Sequence, residues 1–252
     1  MKKLVNTGGL SLPVSFAAVL LLWELLVYLL KTPDYLIPAP SAVYRAFIEA
    51  FPLLLEHTLA TLIEVILGFL AALILSVGLS LLMARFRPLY RILWPYMVIS
   101  QTIPLYVLAP LFMVWFGFGI LPKVLIVLLV CFFPITAGFV QGLVSTEPEL
   151  DELLLVMRAT PAQILWKVWV PQALPQFFAG LKIAAAYSIT GAVLSEWVGA
   201  QKGLGIFLTR SMKTFKTAAL FADVFIIILL SLLLFFIIHF IEMKVIRRRS
   251  SI

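Results

Sequence analysis

Residues 224–241 read VFIIILLSLLLFFIIHFI, eighteen positions without an Asp, Glu, Lys or Arg. As a helix the run is about 27 Å long at about 1.5 Å per residue, close to the roughly 30 Å of hydrocarbon in a bilayer. Five further apolar segments accompany it, at residues 12–30, 58–84, within 92–122, 124–143 and 183–198. With 63% hydrophobic residues, 12% charged residues and a mean hydropathy of +1.12, no water-soluble domain could enclose all six. The chain therefore reads as all-α and polytopic: about six transmembrane helices forming a single integral-membrane domain over residues 1–252.

The segments differ in what they permit. Residues 58–84 carry Glu64 as their only charge and would make a helix of about 40 Å at about 1.5 Å per residue, so this span tilts or protrudes. Residues 92–122 hold no charge but contain Pro95, Pro104 and Pro110, which predicts a kinked or broken span. Pro38-Ala39-Pro40-Ser41 precedes a helical pattern from Ala42, with Ser41 as its cap and an interfacial position on the outer face. Met1-Lys2-Lys3 before an apolar run resembles a signal peptide, but residues 12–30 are long for one and no A-x-A site follows; this is read as a retained first span. The single Cys131 excludes an internal disulfide and reads as a small core or lipid-facing residue.

A net charge of +7 with pI near 9.6 does not require nucleic acid, because basic residues flank membrane spans as topology signals. Arg85, Arg87, Arg91 and the run Arg247–Arg249 fall on the same side as Lys2 and Lys3, which puts both termini in the cytoplasm. Lys202, Arg210, Lys213 and Lys216, after the fifth span, run against that bias. They suit an acidic face of a partner protein or lipid headgroups equally. No internal repeat is visible, so an inverted-repeat secondary transporter is not supported.

Between spans four and five lies a polar stretch, EPELDELLLVMRATPAQILWKVWVPQALP, at residues 147–175. Thr146-Glu147-Pro148-Glu149 and Thr160-Pro161-Ala162-Gln163 both have capping-box spacing, the second with proline at the first helical position. Leu150, Leu153, Leu154 and Met157 share one face, and Ile164, Leu165 and Val168 another. Two short helices meeting at Arg158-Ala159-Thr160 are expected. A long ordered connection is more than a linker as a rule, so this hairpin, at about 145–175, is expected to meet a soluble partner.

These residues resemble the EAA loop of ABC importer permeases: Glu152, then a turn, then Val170-Pro171 and Leu174-Pro175. Ile103-Pro104, Ala109-Pro110-Leu111-Phe112, Trp115-Phe116-Gly117-Phe118-Gly119, Glu196-Trp197-Val198-Gly199 and Gly203-Leu204-Gly205 are similar to the branch for nitrate, sulfonate, taurine and pyrimidine-type substrates. The resemblance covers nearly all of the chain after the first span. It implies coupling helices that dock on a separate ABC ATPase dimer, with Glu152, Leu153, Leu154, Met157, Arg158, Ala159, Thr160, Pro161 and Gln163 as the coupling residues. Two departures stand out: Leu153 and Leu154 replace the family's alanines, and Arg158 replaces its glycine, where a non-glycine residue with positive φ is uncommon.

The resemblance further implies a second, identical permease, an extracytoplasmic solute-binding protein, and a bacterial cytoplasmic (inner) membrane location. No phosphate-binding G-x-x-x-x-G-K-[ST] motif occurs, so ATP and Mg²⁺ belong to the ATPase and this chain binds no cofactor. Residues 184–205 look most like permeases for thiamine-precursor pyrimidines, with riboflavin-type relatives nearby and sulfonate, taurine or nitrate as the alternative. Outside that class, an ion-coupled secondary transporter would need midplane carboxylates, which only Glu24 approaches. An intramembrane enzyme would need a nucleophile with a base, or a metal cluster, and neither pattern occurs.

Candidate pathway residues are Gln101, Thr102 and Tyr106 around Pro104, and Tyr187, Ser188 and Glu196 on the fifth span, all open to the alternative of helix–helix hydrogen bonding. Glu196 is either functional or reaches interfacial water. Glu64 is expected to be a hydrogen-bonded structural carboxylate, Glu24 a buried polar contact to another span, and His57 and His239 interfacial residues without metal-ligand company.

Overall fold

Lipid offers no hydrogen-bond partner to a free N–H or C=O, so a chain this apolar closes its backbone bonds within helices, and every regular element among the described residues is helical. The computed structural model describes residues 8–145, 154 and 156–247, with side chains from Val14 onward. In chain order the helices are α1 (Gly8–Leu30), α2 (Pro40–Arg85), α3 (Arg87–Ser100), α4 (Leu105–Phe116), α5 (Ile120–Val144), α6 (Pro161–Glu196), α7 (Leu204–Lys213) and α8 (Thr217–Arg247).

Among the described residues α2, α5, α6 and α8 are each long and apolar enough to cross a bilayer, and α3 with α4 makes a fifth such unit. That pair is bent by 99°, the broken span that the prolines predict. Pro95 and Pro110 sit inside their helices; Pro104 is the one that breaks the run. Gln101 and Thr102 close tight bonds to the carbonyls of Val98 and Ile99, and Pro104, with no N–H to continue the ladder, turns to ψ 127° and opens α4. α1 adds a shorter apolar stretch, Val14–Leu30.

Three sequence expectations are corrected. The helix from Ala42 is not a separate interfacial element, because α2 runs unbroken through Pro52 for 46 residues into the second span. Ser41 does not cap it. The N-cap is Ala39, and the Ser41 hydroxyl and N–H both donate to Glu24 of α1, at 2.7 and 3.0 Å. A carboxylate from another helix thus does the capping; Glu24 makes the interhelical contact expected of it, but on the exposed side and not buried. The second short helix of the polar loop is likewise not separate. Pro161–Ile164 continues through a π-helical turn, Leu165–Trp169, into Val170–Glu196. The wide turn explains why Pro171 does not end the helix: Val170 N–H already bonds to Leu165, five residues back, so the register has shifted before the proline arrives.

The core is a three-helix contact of α2, α5 and α6, closed by α8. On α2 the buried stripe includes Gly68, Ala72, Ser76 and Ser80, four residues apart each time. Small residues at that spacing let membrane helices approach closely. A Cβ on Gly68 would lie 2.5 Å from Cβ of Val127 on α5. The Ser76 hydroxyl donates to the carbonyl of Phe132 at 3.0 Å, an interhelical bond worth about 0.6 kcal/mol. The α5–α6 crossing is as tight: a Cβ on Gly138 would lie 2.5 Å from the Gln176 carbonyl, and one on Gly142 2.7 Å from Cα of Ala173. Cys131 is buried here, its thiol donating to the Ala184 carbonyl at 3.4 Å. Two ion pairs tie the bundle, Lys123–Glu64 between α5 and α2 at 2.6 Å and Lys182–Glu242 between α6 and α8 at 2.9 Å. Glu64 is thus the structural carboxylate its position predicts, and His239 leans on Glu242 at 3.3 Å.

Candidate functional site

Among the described residues, polar chemistry along α6 gathers at its two ends and in a groove along its middle. With 36 residues, α6 is about 54 Å long at about 1.5 Å per residue, so its ends lie on opposite sides of a bilayer.

At the Thr160 end a chain turn is built from local signals. Arg158 has φ 60°, and Ala159 N–H bonds to the Leu154 carbonyl at 2.9 Å. A six-to-one bond around a left-handed residue is the Schellman closure, normally made by glycine. Arginine holds that conformation at a cost of about 1–2 kcal/mol. We therefore expect Arg158→Gly to stabilise the turn by about 1 kcal/mol, slowing amide exchange at Ala159 about fivefold. Unchanged or faster exchange would show that the turn stores no such strain. The next helix then starts as its sequence dictates: the Thr160 hydroxyl accepts from Gln163 N–H at 3.3 Å, and the Gln163 side chain accepts from Thr160 N–H at 2.8 Å. Around this turn three apolar side chains stand in the open, Val156 at 81%, Met157 at 71% and Trp166 at 60% exposure. Ile164 is the one that turns inward.

At the other end, Glu196 is fully buried. Its carboxylate accepts from the Thr61 hydroxyl and from Gly205 N–H, both at 2.6 Å. Thr61 in turn accepts from Leu204 N–H at 2.9 Å, and His57 Nδ1 accepts from Gly203 N–H at 2.9 Å. Nδ1 can accept only without a proton, so the ring hydrogen of the neutral tautomer is on Nε2. Side chains of α2 and α6 thereby satisfy three consecutive N–H groups at the start of α7, groups that no helix can satisfy internally. Gly203 has φ 128°, and a Cβ there would collide with the Glu196 carboxylate. Beyond this cap, α7 carries exposed Arg210 and Lys213, with exposed Lys216 just past its end, and Lys202 pairs with Glu56 at 2.5 Å.

Between these ends a groove of about 640 Å³ runs along α5 and α6, roofed by the turn between α3 and α4. Gln101, Gln141, Gln176 and Tyr187 supply its polar side chains, against walls that include Phe133 and Ile183. The glycine crossing at Gly138 and Gly180 forms its floor.

Residues 65–248 match the family described as the binding-protein-dependent transport system inner membrane component. The chain belongs to this family. The permease is 38% identical over 219 residues to the formylaminopyrimidine transport permease protein ThiX of Halalkalibacterium halodurans, covering 86% of this chain and 87% of that one. It is 35% identical over 245 residues to the riboflavin transport system permease protein RibX of Chloroflexus aurantiacus, covering 96% and 91%. Its fold matches a chain of the MetNI methionine ABC transporter in an inward-facing conformation, with TM-score 0.64 and 21% identity over 79% of this chain and 97% of that one.

The permease distributes the residues singled out from its sequence as follows. Gln101 and Tyr187 line the groove together. Thr102 folds its hydroxyl back onto the Ile99 carbonyl at 2.8 Å, and Tyr106 is 70% exposed. Ser188 is buried and bonds to the Ala185 carbonyl at 2.8 Å. Glu196 belongs to the α7 cap and not to an interface with water. His57, expected at an interface, is buried in the same cap. Of the loop residues, Leu154, Met157, Arg158, Ala159, Thr160, Pro161 and Gln163 form the turn, whereas Glu152, Leu153 and the first capping box from Thr146 lie outside the described residues. Gln141 and Gln176 went unnoticed in the sequence. The signal was there for one of them: Gln176, Gly180, Ile183 and Tyr187 fall on one helical face.

Proposed function

We propose that this permease is the translocating subunit of an ATP-driven importer, engaged at the 154–163 turn by a dimer of separate ATPase subunits that bind ATP and Mg²⁺. Two identical copies form the pore, each with six spans once α1 is counted, and both termini face the cytoplasm. An extracytoplasmic binding protein delivers the solute, a thiamine-precursor pyrimidine or a related vitamin precursor. The reading is carried by three exposed apolar side chains, Val156, Met157 and Trp166, on either side of a doubly anchored turn. Apolar side chains held rigidly in the open are what a partner groove buries. Similarity to the formylaminopyrimidine permease supports the solute class.

The reading is tested by reconstituting the permease into liposomes by itself and with its ATPase and binding protein. Solute should accumulate only in the complete system and only with ATP. Accumulation by the permease alone, driven by an ion gradient, would overturn the proposal.

A further inference from the structure

Among the described residues that line the groove none is charged. Its polar groups are three carboxamides and one phenol, spread along its length. Gln141 adjoins the Gly138 crossing, Gln101 sits in the α3–α4 turn, and Tyr187 lies about 16 Å beyond Gln176 along α6 at about 1.5 Å per residue. Each carboxamide offers a donor and an acceptor side by side. That pair matches, edge to edge, a ring nitrogen next to an amino group, as glutamine does with adenine. Phe133 and Tyr187 add aromatic faces on which a flat ring can stack. A sulfonate or nitrate would find no Lys or Arg to replace its water, and an unpaired anion in apolar surroundings is strongly disfavoured.

We infer that this groove selects uncharged, flat heterocycles bearing adjacent acceptor and amino donor groups, read by Gln101, Gln141 and Gln176, and that it rejects anions. The inference rests on the import role proposed above. It assigns solute choice to this chain as well as to the binding protein.

The test uses the complete transporter in liposomes, with labelled formylaminopyrimidine and labelled taurine as probes. The unaltered complex should carry the pyrimidine and not taurine. Gln176→Leu and Gln141→Leu should each lower pyrimidine uptake about tenfold or more, with Gln176→Asn, which keeps the amide, losing less. Retention of the ATPase subunit on purification shows that a variant has assembled. Gln101→Leu, in a turn outside the helix crossings, gives the same test should a helix variant fail to assemble. Leucine variants that carry the pyrimidine at the unaltered rate would overturn this inference alone. Taurine carried as fast as the pyrimidine would overturn its anion rejection. An unaltered complex that moves no pyrimidine despite hydrolysing ATP would overturn both this inference and the proposed solute.

Discussion

Glu196→Ala is expected to destabilise the permease by about 2–4 kcal/mol, since two bonds to a buried carboxylate vanish. Their donors are Gly205 N–H, which is left unpaired, and the Thr61 hydroxyl, which keeps only the His57 carbonyl at 3.2 Å. Neither reaches water, because Glu196, Thr61 and Gly205 are all buried. Glu196→Gln should cost less, about 2 kcal/mol: one amide oxygen can still accept from Thr61, while the NH₂ group faces another donor at Gly205. The order alanine, then glutamine, then the native residue is the signature of an acceptor role. A polar residue reaching interfacial water would give no such order. Denaturant unfolding of the purified permease measures it, and an alanine variant within about 1 kcal/mol of the native protein would remove Glu196 from the cap. Gly203→Ala approaches the same site from the other side, since its Cβ would overlap the carboxylate, and it should fail comparably.

That cap also shows which parts of the structure could be read from residue order. The apolar runs announced the helices because nothing else can bury them, and the three prolines of residues 92–122 announced a kink or break in the third span, though not which of them would make it. At Arg158 the family resemblance implied a glycine and left open whether arginine would be strained or the turn would differ; its φ of 60° shows that the turn is left-handed with arginine in place. The capping box at Thr160 was legible because both partners lie within four residues of each other.

What stayed hidden depends on residues far apart in the chain. Ser41 has the right identity for a cap, yet its hydroxyl turns to Glu24, seventeen residues earlier. His57 and Glu196 look like span-end residues on their own, and only the meeting of α2, α6 and α7 makes them one network. The helix boundaries failed for another reason. The second short helix of the loop was expected to stand apart, but the π turn at Leu165–Trp169 carries it through Pro171 into the fifth span. Such a turn has no short sequence signature. Gln141 went unnoticed because a glutamine facing a groove and one facing solvent look alike in sequence, whereas Gln176 shares a helical face with Gly180 and Tyr187.

Met157→Asp is expected to reduce ATP-driven uptake about a hundredfold, equivalent to about 2.7 kcal/mol of lost docking. Met157 is 71% exposed, so the change should leave the fold intact. Its flexible thioether suits it to fill an irregular partner pocket; an aspartate there must shed its bound water on docking. Met157→Leu keeps the apolar volume and should retain most of the uptake. Trp166→Asp, on the far side of the Thr160 cap, should act in the same direction if the exposed cluster docks as one surface. Two measurements separate the possibilities: co-purification of the ATPase with each variant, and uptake by the reconstituted complex. Loss of both with Met157→Asp places the side chain in the docking surface. Native uptake and native ATPase retention by that variant would mean that the ATPase grips the permease elsewhere, and the coupling role of the 154–163 turn would have to be given up.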